Sequence, residues 1–365
     1  MRAGQPFRPL PAPTGMPPYH LPLADVLPAQ AMTSITTSGR MVFHMVGDTG
    51  GIKSPFPEQN VARAMEIDFQ AGDIAARPSF FYHLGDVVYF FGETVEYYPQ
   101  FYEPYAGYPT AIFAIPGNHD GDLSPQMQTQ GTPSLLAFVN NFCQRIAHHT
   151  PEAQDAPRQA MTQPNVYWTL DTPIATFIGL YTNVPDGGLM DSSQIAWLHS
   201  ELSNAPANKL LIVSMHHPIY SAETFHSGSV YLHNVLDDAV SQSGRWPDAV
   251  FTAHVHNYQR FTRSWNGRSV PFIVAGAGGY HNLHTMDPSV RSQTPPIPMP
   301  GPDTVTLDKF CDDQWGYLRM EASAGTLKGD YFTVQGLGNP ANVQATHFDS
   351  FALNVKDHTV TTNPV

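Results

Sequence analysis

Apolar runs that end in polar residues recur five times along this chain. The five segments are MVFHMVGDTG, FFYHLGDVVY, AIFAIPGNHD, LLIVSMHHP and AVFTAHVHNY. Short apolar runs bounded by glycine or proline are typical of buried β-strands. In an open α/β sheet, ligands bind just outside the carboxyl ends of the strands. We therefore expect the polar ends of these five strands to converge on one site.

The segments between and after these runs predict helices and further strands. Helical spacing of apolar residues predicts a helix within residues 59–76, and MDSSQIAWLHSELSNA predicts a capped amphipathic helix before the fourth run. A short helix is expected around residues 134–147, and VYWTLDTPIATFIGLYT predicts two strands of a second sheet. Alternating runs after Trp315 predict C-terminal antiparallel strands. This order of strands and helices favours a layered α/β fold.

Two stretches predict irregular structure. Residues 1–38 are rich in proline and have no sustained period, so they are interpreted as an N-terminal arm, either extended along the surface or a partly ordered leader. Residues 281–312 are interpreted as a long proline-containing loop, and loops of this length are usually functional or mobile. The motifs extend from Asp48 to His256, with strand-like segments on both sides. This distribution favours a single domain over residues 39–365.

Composition limits the classes of protein to which the chain can belong. Of 365 residues, 42% are hydrophobic and 13% are charged, which is typical of a globular chain with a large interior. The formal net charge of -13 argues against nucleic acid as a partner, because that affinity depends largely on Lys and Arg at the phosphates. Two cysteines, Cys143 and Cys311, exclude a disulfide framework and a thiolate zinc site. A single bridge and two buried free thiols both stay open.

The sequence predicts no membrane span, since no segment approaches the roughly 20 apolar residues that a bilayer requires. The N-terminus is interrupted by prolines and does not resemble a signal peptide. A cytoplasmic location is the default expectation. A secreted or periplasmic location would follow if a signal had been removed.

The polar ends of the five runs offer carboxylate, phenolate, amide and imidazole groups, which suit iron, zinc and manganese. The candidate metal ligands are Asp48, Asp86, Tyr89, Asn118, His216, His254 and His256. Seven ligands are too many for one tetrahedral ion but fit two ions that share a bridging carboxylate. Paired metals hydrolyse phosphate esters by generating hydroxide near neutral pH and stabilising charge on the attacking and leaving oxygens. Such a pair would also attract a small phosphorylated substrate despite the negative net charge.

The motifs GDTG, GDVVY, GNHD, VSMH and AHVH, in this order, resemble those of the calcineurin-like metallophosphoesterases and, more narrowly, the purple acid phosphatases. Gly50 stands where the wider superfamily has a histidine ligand, and Tyr89 follows Asp86 by three residues, as in the purple acid phosphatases. The resemblance implies an α/β fold, a four-layer α/β/β/α sandwich with two mixed β-sheets. It also implies hydrolysis of phosphate monoesters by a metal-bound hydroxide at a dinuclear centre.

The resemblance further implies a role for each candidate residue. Asp48, Tyr89 and His256 would hold Fe(III). Asn118, His216 and His254 would hold a divalent ion, which is Zn(II), Mn(II) or Fe(II), and Asp86 would bridge the two metals. His119 and His226 would be catalytic residues on the substrate side, where they hydrogen-bond phosphate or protonate the leaving group.

Simpler interpretations exist for several of these residues. Asp48 alone is compatible with a turn, Asn118 with an Asx-turn, and Tyr89 with a core aromatic. A pocket-lining role for His284 is left open. Arg260 is interpreted as a surface cation or one just outside the ligand shell.

Two other functions stay open at this stage. One is a phosphodiesterase that acts on cyclic nucleotides or other small diesters with the same metals. The other is a non-catalytic metal-binding interaction protein. The sequence does not give the oligomeric state.

Overall fold

Two mixed β-sheets form the centre of the protein. The computed structural model describes residues 9–182, 188–338 and 340–362. The strands in this part of the chain are β1 His20–Pro22, β2 Arg40–Val46, β3 Pro78–His83, β4 Ala111–Ala114, β5 Trp168–Asp171, β6 Ala175–Leu180, β7 Leu210–Met215, β8 Ala249–Thr252, β9 Tyr258–Trp265, β10 Arg268–Ala275, β11 Ile297–Pro298, β12 Thr304–Cys311, β13 Trp315–Ser323, β14 Thr326–Val334, β15 Ala345–Asn354 and β16 Thr359–Thr362.

Helices occur mainly between the strands. They are α1 Ala29–Ser38, α2 Phe56–Ile67, α3 Asn118–Gly121, α4 Pro125–Thr129, α5 Leu136–Phe142, α6 Ser192–Asn204, α7 Val230–Ser243 and α8 Pro288–Arg291. The predicted cap of α6 is present, because the side chain of Asp191 accepts a hydrogen bond from the backbone N–H of Gln194 at 2.7 Å. None of the described helices is long and apolar enough to cross a membrane.

The strands form a nine-stranded sheet and a seven-stranded sheet. The strand order is β1-β5-β6-β7-β8-β10-β9-β12-β11 in the first and β16-β15-β14-β13-β2-β3-β4 in the second. β2, β3 and β4 run parallel, as do β6, β7 and β8, whereas β13 to β16 are antiparallel. Both sheets are therefore mixed, and the parallel strands of each sheet direct their carboxyl ends to one edge.

Alternation of side chains along the strands creates the layers. Phe43 of β2 and Phe80 of β3 stack with ring centroids 5.2 Å apart, and both meet Phe177 of the other sheet edge-on. Phe81, one residue further, points to the opposite face and packs against Tyr105. This period of two places one apolar core between the sheets and another under the helices.

Helices cover the outer face of each sheet. α2 packs on β13 and β14 of the seven-stranded sheet. α6 and α7 pack on each other, and their Leu198 and Leu236 share a core with Val213 of β7. The layer order is α/β/β/α, so the predicted fold class is confirmed.

The segment before β2 has more regular structure than the predicted arm. β1 pairs with β5 in parallel, and α1 ends at Gly39 in the left-handed conformation (φ 63°). An extended arm is therefore wrong for α1, residues 29–38, whereas a partly ordered leader agrees with these elements; residues 1–8 lie outside the described residues. α1 buries Ile35 alone, so its sequence shows no apolar period. The division of the chain at residue 38 stays a prediction.

The predicted 281–312 loop contains α8, β11 and the eight-residue strand β12. β12 pairs antiparallel with β9, but its register shifts between Leu307 and Lys309. This bulge interrupts the alternation of buried and exposed positions by which a strand is recognised in a sequence. The prediction of an irregular loop is therefore wrong for residues 304–311.

Arg260 is buried between the two sheets, so its interpretation as a surface cation is wrong. Its Nε donates to Asp349 Oδ2 at 2.7 Å and a terminal nitrogen to Asp349 Oδ1 at 3.1 Å. A third bond reaches Asp308 at 3.2 Å, and the residue is 1% exposed. Arg260 lies in β9 and Asp349 in β15, so this ion pair joins the two sheets.

Cys143 and Cys311 are both free and buried. Of the two interpretations left open, the structure favours two free thiols over a single bridge.

Candidate metal centre

Five loops meet where the parallel strands of the two sheets end. They follow β2, β3, β4, β7 and β8, the five strands formed by the apolar runs. Backbone hydrogen bonds join the loops, from Asp48 N to Gly85 O at 2.9 Å and from Ala253 N to His216 O at 2.9 Å. The expected convergence of the five strand ends is therefore present.

One group of candidate ligands consists of Asp48, Tyr89 and His256. The Tyr89 hydroxyl donates to Asp48 Oδ1 at 3.2 Å and lies 3.5 Å from His256 Nε2. His256 Nε2 and Asp48 Oδ1 are also 3.5 Å apart. The three side chains are buried, and their polar atoms face one another. The Tyr89 hydroxyl thus lies beside a carboxylate and an imidazole, and its role as a metal ligand stays a prediction.

A second group consists of Asn118, His216 and His254. His254 Nδ1 and Asn118 Oδ1 are 2.9 Å apart. The rings of His216 and His254 have centroids 5.2 Å apart and are inclined by 73°. β8 ends at Thr252, so His254 and His256 lie in a loop rather than on one face of a strand. The loop directs the two imidazoles into different groups.

Asp86 borders the second group. Its Oδ2 lies 3.3 Å from His216 Nε2, and its Oδ1 accepts a hydrogen bond from the backbone N–H of His119 at 2.8 Å. Ligand atoms of Asp86, His216 and His254 all lie within 4.8 Å of one another. Asp86 Oδ2 and His216 Nε2 are both buried without a hydrogen-bond partner. Because buried polar atoms are normally satisfied, these two atoms fit a site for a bound cation.

The electrostatic environment of this group also favours a cation. Burial opposes protonation of His216, but the carboxylates of Asp86 and Asp48 raise its pKa to about 9. Burial would raise the pKa of Asp86, yet the imidazoles of His216 and His119 hold it well below its usual range. The field that stabilises a proton on His216 would stabilise a metal ion in its place.

Hydrogen bonds outside the centre fix the orientation of the imidazoles. Nδ1 of His216 lies 2.9 Å from the Leu84 carbonyl, and Nδ1 of His256 lies 2.8 Å from the Asn282 carbonyl. An Nδ1–H donated to a carbonyl leaves Nε2 as the lone-pair nitrogen that faces the centre. Both rings are therefore held in a form that can bind a metal.

Three candidate ligands have left-handed backbone conformations. The φ angles are 55° at Asp48, 53° at Asp86 and 67° at His254. Non-glycine residues adopt this conformation infrequently, and such residues cluster at functional sites. The Asp48 carboxylate also accepts a hydrogen bond from the His254 backbone N–H at 2.7 Å, which links two of these residues directly.

The two predicted catalytic histidines lie at the edge of the centre. His119 directs Nδ1 to the Phe90 carbonyl at 2.9 Å, and its ring lies 4.6 Å from that of Tyr89. The ring of His226 lies 5.4 Å from that of His254. Both residues are partly exposed, whereas the candidate ligands Asp48, Asp86 and His216 are fully buried.

Comparison with known proteins identifies the family of the chain. The model of the calcineurin-like phosphoesterase family matches residues 41–258. The chain belongs to the calcineurin-like phosphoesterases. The resemblance predicted from the five motifs is confirmed.

The chain is also similar to individual purple acid phosphatases. Purple acid phosphatase 21 of Arabidopsis thaliana is 26% identical over 205 residues, which are 54% of this chain and 43% of that protein. Purple acid phosphatase 22 of the same plant is 25% identical over 214 residues, which are 55% of this chain and 44% of that protein. The chain thus spans less than half the length of the curated relatives it matches.

A solved purple acid phosphatase shares the fold. The structure of PPD1 from yellow lupin (Lupinus luteus) seeds superposes with a TM-score of 0.59 at 15% identity, over 87% of this chain and 55% of that chain.

The phosphoesterase site contains residues that were not predicted from the motifs. The rings of Tyr280 and Tyr89 have centroids 4.2 Å apart and are tilted by 30°, and the Tyr280 backbone N–H donates to the Asp48 carbonyl at 2.9 Å. Tyr280 follows the glycines of AGAGGY, and this glycine run is the sequence signal that could have placed Tyr280 near the site. Asp120 accepts hydrogen bonds from the backbone N–H groups of Val87 and Gly117 at 3.0 and 2.8 Å, and so ties two ligand loops together.

The open question of His284 is resolved by the same structure. Its ring stacks on that of His256 with centroids 4.1 Å apart. Burial and the neighbouring imidazole of His256 lower the pKa of His284 to about 3. His284 therefore lines the site as a neutral ring.

Proposed function

We propose that the protein hydrolyses phosphate monoesters at a dinuclear metal centre. The observation that carries this proposal is the pair of buried atoms Asp86 Oδ2 and His216 Nε2, which lie 3.3 Å apart without a hydrogen bond in a group of ligand atoms that also includes His254. Family membership and similarity to purple acid phosphatases support the same reaction class. The small phosphorylated substrate and the absence of nucleic acid as a partner stay predictions.

We assign the metals by the chemistry of each ligand group. Asp48, Tyr89 and His256 would hold Fe(III), since carboxylate and phenolate oxygens are hard donors. Asn118, His216 and His254 would hold Zn(II), Mn(II) or Fe(II), because a neutral amide and two imidazoles suit a divalent ion. Asp86 would bridge them: one oxygen faces His216, and the loop that carries Asp86 also carries Tyr89.

The residues at the open side of the centre would act on the substrate. Two metal ions supply a nucleophile from water near neutral pH and charge stabilisation during phosphoryl transfer. His119 donates Nδ1–H to the Phe90 carbonyl, so Nε2 is the atom available to a phosphate oxygen or leaving group. Its backbone N–H holds Asp86, which couples the position of His119 to the bridging carboxylate. His226, whose ring lies 5.4 Å from that of His254, would also assist the leaving group.

The proposal is tested with the full chain, loaded with iron and then with zinc or manganese. We expect two metal ions per chain and faster hydrolysis of p-nitrophenyl phosphate than of bis(p-nitrophenyl) phosphate. Asp86→Asn should lower kcat by more than about 100-fold, because even residues outside the ligand shell cost up to about 100-fold in metal affinity or activity. Asp68→Asn is the matched control, since Asp68 pairs with the buried His44 rather than with a candidate ligand.

The other outcomes identify the alternatives. Preferential hydrolysis of the diester would show that the protein is a phosphodiesterase and not a monoesterase. Two bound ions without hydrolysis of any ester in a broad panel would indicate a metal-binding interaction protein.

The Fe(III) assignment has its own readout. Phenolate bound to Fe(III) absorbs visible light, so the loaded protein should be pink or purple and Tyr89→Phe should be colourless. A colourless, iron-free and active wild-type protein would contradict the iron assignment without affecting the dinuclear one.

A further inference from the structure

A short hairpin carries His226 to the metal centre. Ala222 and Ser227 form an isolated antiparallel bridge, and Glu223 forms another with Met286. The backbone N–H of Ala222 also donates to Gln259 Oε1 at 2.8 Å. The hairpin is thus fixed at its base, while Phe225 at its tip is 86% exposed.

The Glu223 carboxylate organises the inside of this hairpin. Its Oε2 accepts from the Phe225 backbone N–H at 2.9 Å and from the His226 backbone N–H, and it lies 2.8 Å from His226 Nδ1. The Glu223 side chain is 3% exposed, whereas that of His226 is 37% exposed. A carboxylate that accepts Nδ1–H leaves Nε2 as the atom on the exposed edge of the ring. Glu223 therefore fixes the direction of His226 and keeps a proton on Nδ1, so that Nε2 is the nitrogen from which the protonated ring can donate.

His284 fixes the plane of the same ring. The rings of His226 and His284 are stacked with centroids 4.4 Å apart and an interplanar angle of 6°. His284 in turn stacks on His256, and its backbone N–H donates to the His256 carbonyl at 2.9 Å. The column His226, His284, His256 sets the position of His226 relative to the metal centre.

The column does not have the geometry of a third metal site. Glu223, His226 and His284 offer ligand atoms within 4.8 Å of one another. Nitrogen lone pairs lie in the plane of an imidazole ring, so two parallel stacked rings cannot both direct a lone pair at one ion. The carboxylate oxygen nearest to the rings is already used by three N–H groups.

We propose that Glu223 is a positioning residue that presents Nε2 of His226 to the leaving group of the substrate, with His284 as the platform beneath the ring. This inference rests on the proposed phosphatase function. It adds that proton delivery to a poor leaving group depends on a carboxylate that touches neither metal nor substrate: the imidazolium of His226 gives its Nε2 proton to the leaving oxygen and keeps its Nδ1–H on Glu223.

The test compares two monoesters with different leaving groups. p-Nitrophenolate leaves without protonation, whereas the alkoxide of β-glycerophosphate requires a proton. Glu223→Gln should lower kcat for β-glycerophosphate about tenfold or more and change kcat for p-nitrophenyl phosphate by less than about threefold. His226→Ala should lower kcat for both esters and lower it further for β-glycerophosphate, and the double variant should be no worse than His226→Ala alone. Glu223→Asp should recover part of the lost rate.

Glu223→Gln should still fold, because its amide oxygen can accept the two backbone N–H groups. The matched control is Glu201→Gln, which removes another buried carboxylate paired with a histidine, His20, at 2.8 Å. This control should leave the ratio of the two rates unchanged.

Several outcomes would overturn the inference. The inference is contradicted by equal losses of kcat on both esters in Glu223→Gln, by additive effects in the double variant, or by a third metal equivalent that Glu223→Gln loses. In each of these cases, hydrolysis by the wild-type protein would leave the proposed function intact. A metal-loaded wild-type protein that hydrolyses neither ester would overturn the proposed function and the positioning role together.

Discussion

Gly50 and Tyr89 are packed so closely that a Cβ atom at Gly50 would lie 2.7 Å from Cδ2 of the Tyr89 ring. The same Cβ would collide with Oε1 of Gln100, which accepts a hydrogen bond from the Tyr89 backbone N–H at 2.9 Å. A histidine at position 50 is therefore incompatible with the position that Tyr89 occupies. This contact gives a physical reason why a chain with Tyr89 has Gly50 where the wider superfamily has a histidine.

Gly50→Ala should displace Tyr89 from the centre. We expect overpacking to cost about 1–3 kcal/mol of stability and the visible absorption of the iron-loaded protein to shift or disappear. Gly72→Ala is the matched control, because a Cβ there would contact nothing within 4 Å and its φ is unstrained. An absorption spectrum and kcat identical to those of the wild type in Gly50→Ala would show that Tyr89 is free to adjust.

Candidate ligands were accessible to sequence reasoning because local rules place them. Asp48, Asp86 and His216 each follow a strand that its apolar run already defines, and strands that run parallel direct their ends to one edge. The fold class followed from the same runs and from the family resemblance. These inferences needed no knowledge of the paths of long loops.

Residues placed by long-range contacts were not accessible in this way. Glu223 and His284 meet because the hairpin and the segment after β10 are joined by bonds such as that from Asp287 N to Ala222 O at 2.9 Å. Similarly, Arg260 was misassigned because its partner Asp349 lies 89 residues away in the other sheet. Neither relationship leaves a local pattern in the sequence.

Removal of the metals should destabilise the protein. Asp48, Asp86 and His216 are fully buried, and without metal only a proton on His216 offsets the charge of the two carboxylates in a low-dielectric site. Ions present at 100 times their dissociation constant stabilise the folded state by about 2.7 kcal/mol, so Tm should fall by about 5 °C or more on treatment with a reductant and chelator. Calorimetry with and without restored metal measures this difference. An unchanged Tm would indicate that these side chains bind no structural ion.

Asp349→Asn should weaken the connection between the sheets. The variant leaves the buried Arg260 guanidinium without its bidentate partner, and Tyr258 loses the acceptor of its hydroxyl, at 2.8 Å. Breaking one side of a buried ion pair costs about 3–5 kcal/mol, which urea denaturation would detect as a lower midpoint. Asp330→Asn is the control, since Asp330 pairs with the exposed His347 and should change stability by less than about 1 kcal/mol. Equal midpoints for both variants would contradict a clamping role for Arg260.

The contribution of His20 to stability should disappear at high pH. Hydrogen bonds to Asp171 and then Glu201 raise the pKa of His20 from 6.5 to about 10, and this residue holds β1 against β5 and α6. A raised pKa in the folded state means that the stabilisation is complete below pH 6.5 and is lost as the pH rises through about 10. The Tm difference between wild type and His20→Gln should therefore be largest near pH 6 and shrink towards pH 10. His347→Gln is the control, because His347 pairs with one carboxylate, Asp330, whereas His20 pairs with two. A Tm difference for His20→Gln that stays constant from pH 6 to pH 10 would show that packing of the ring, and not its charge, fixes the N-terminal strand.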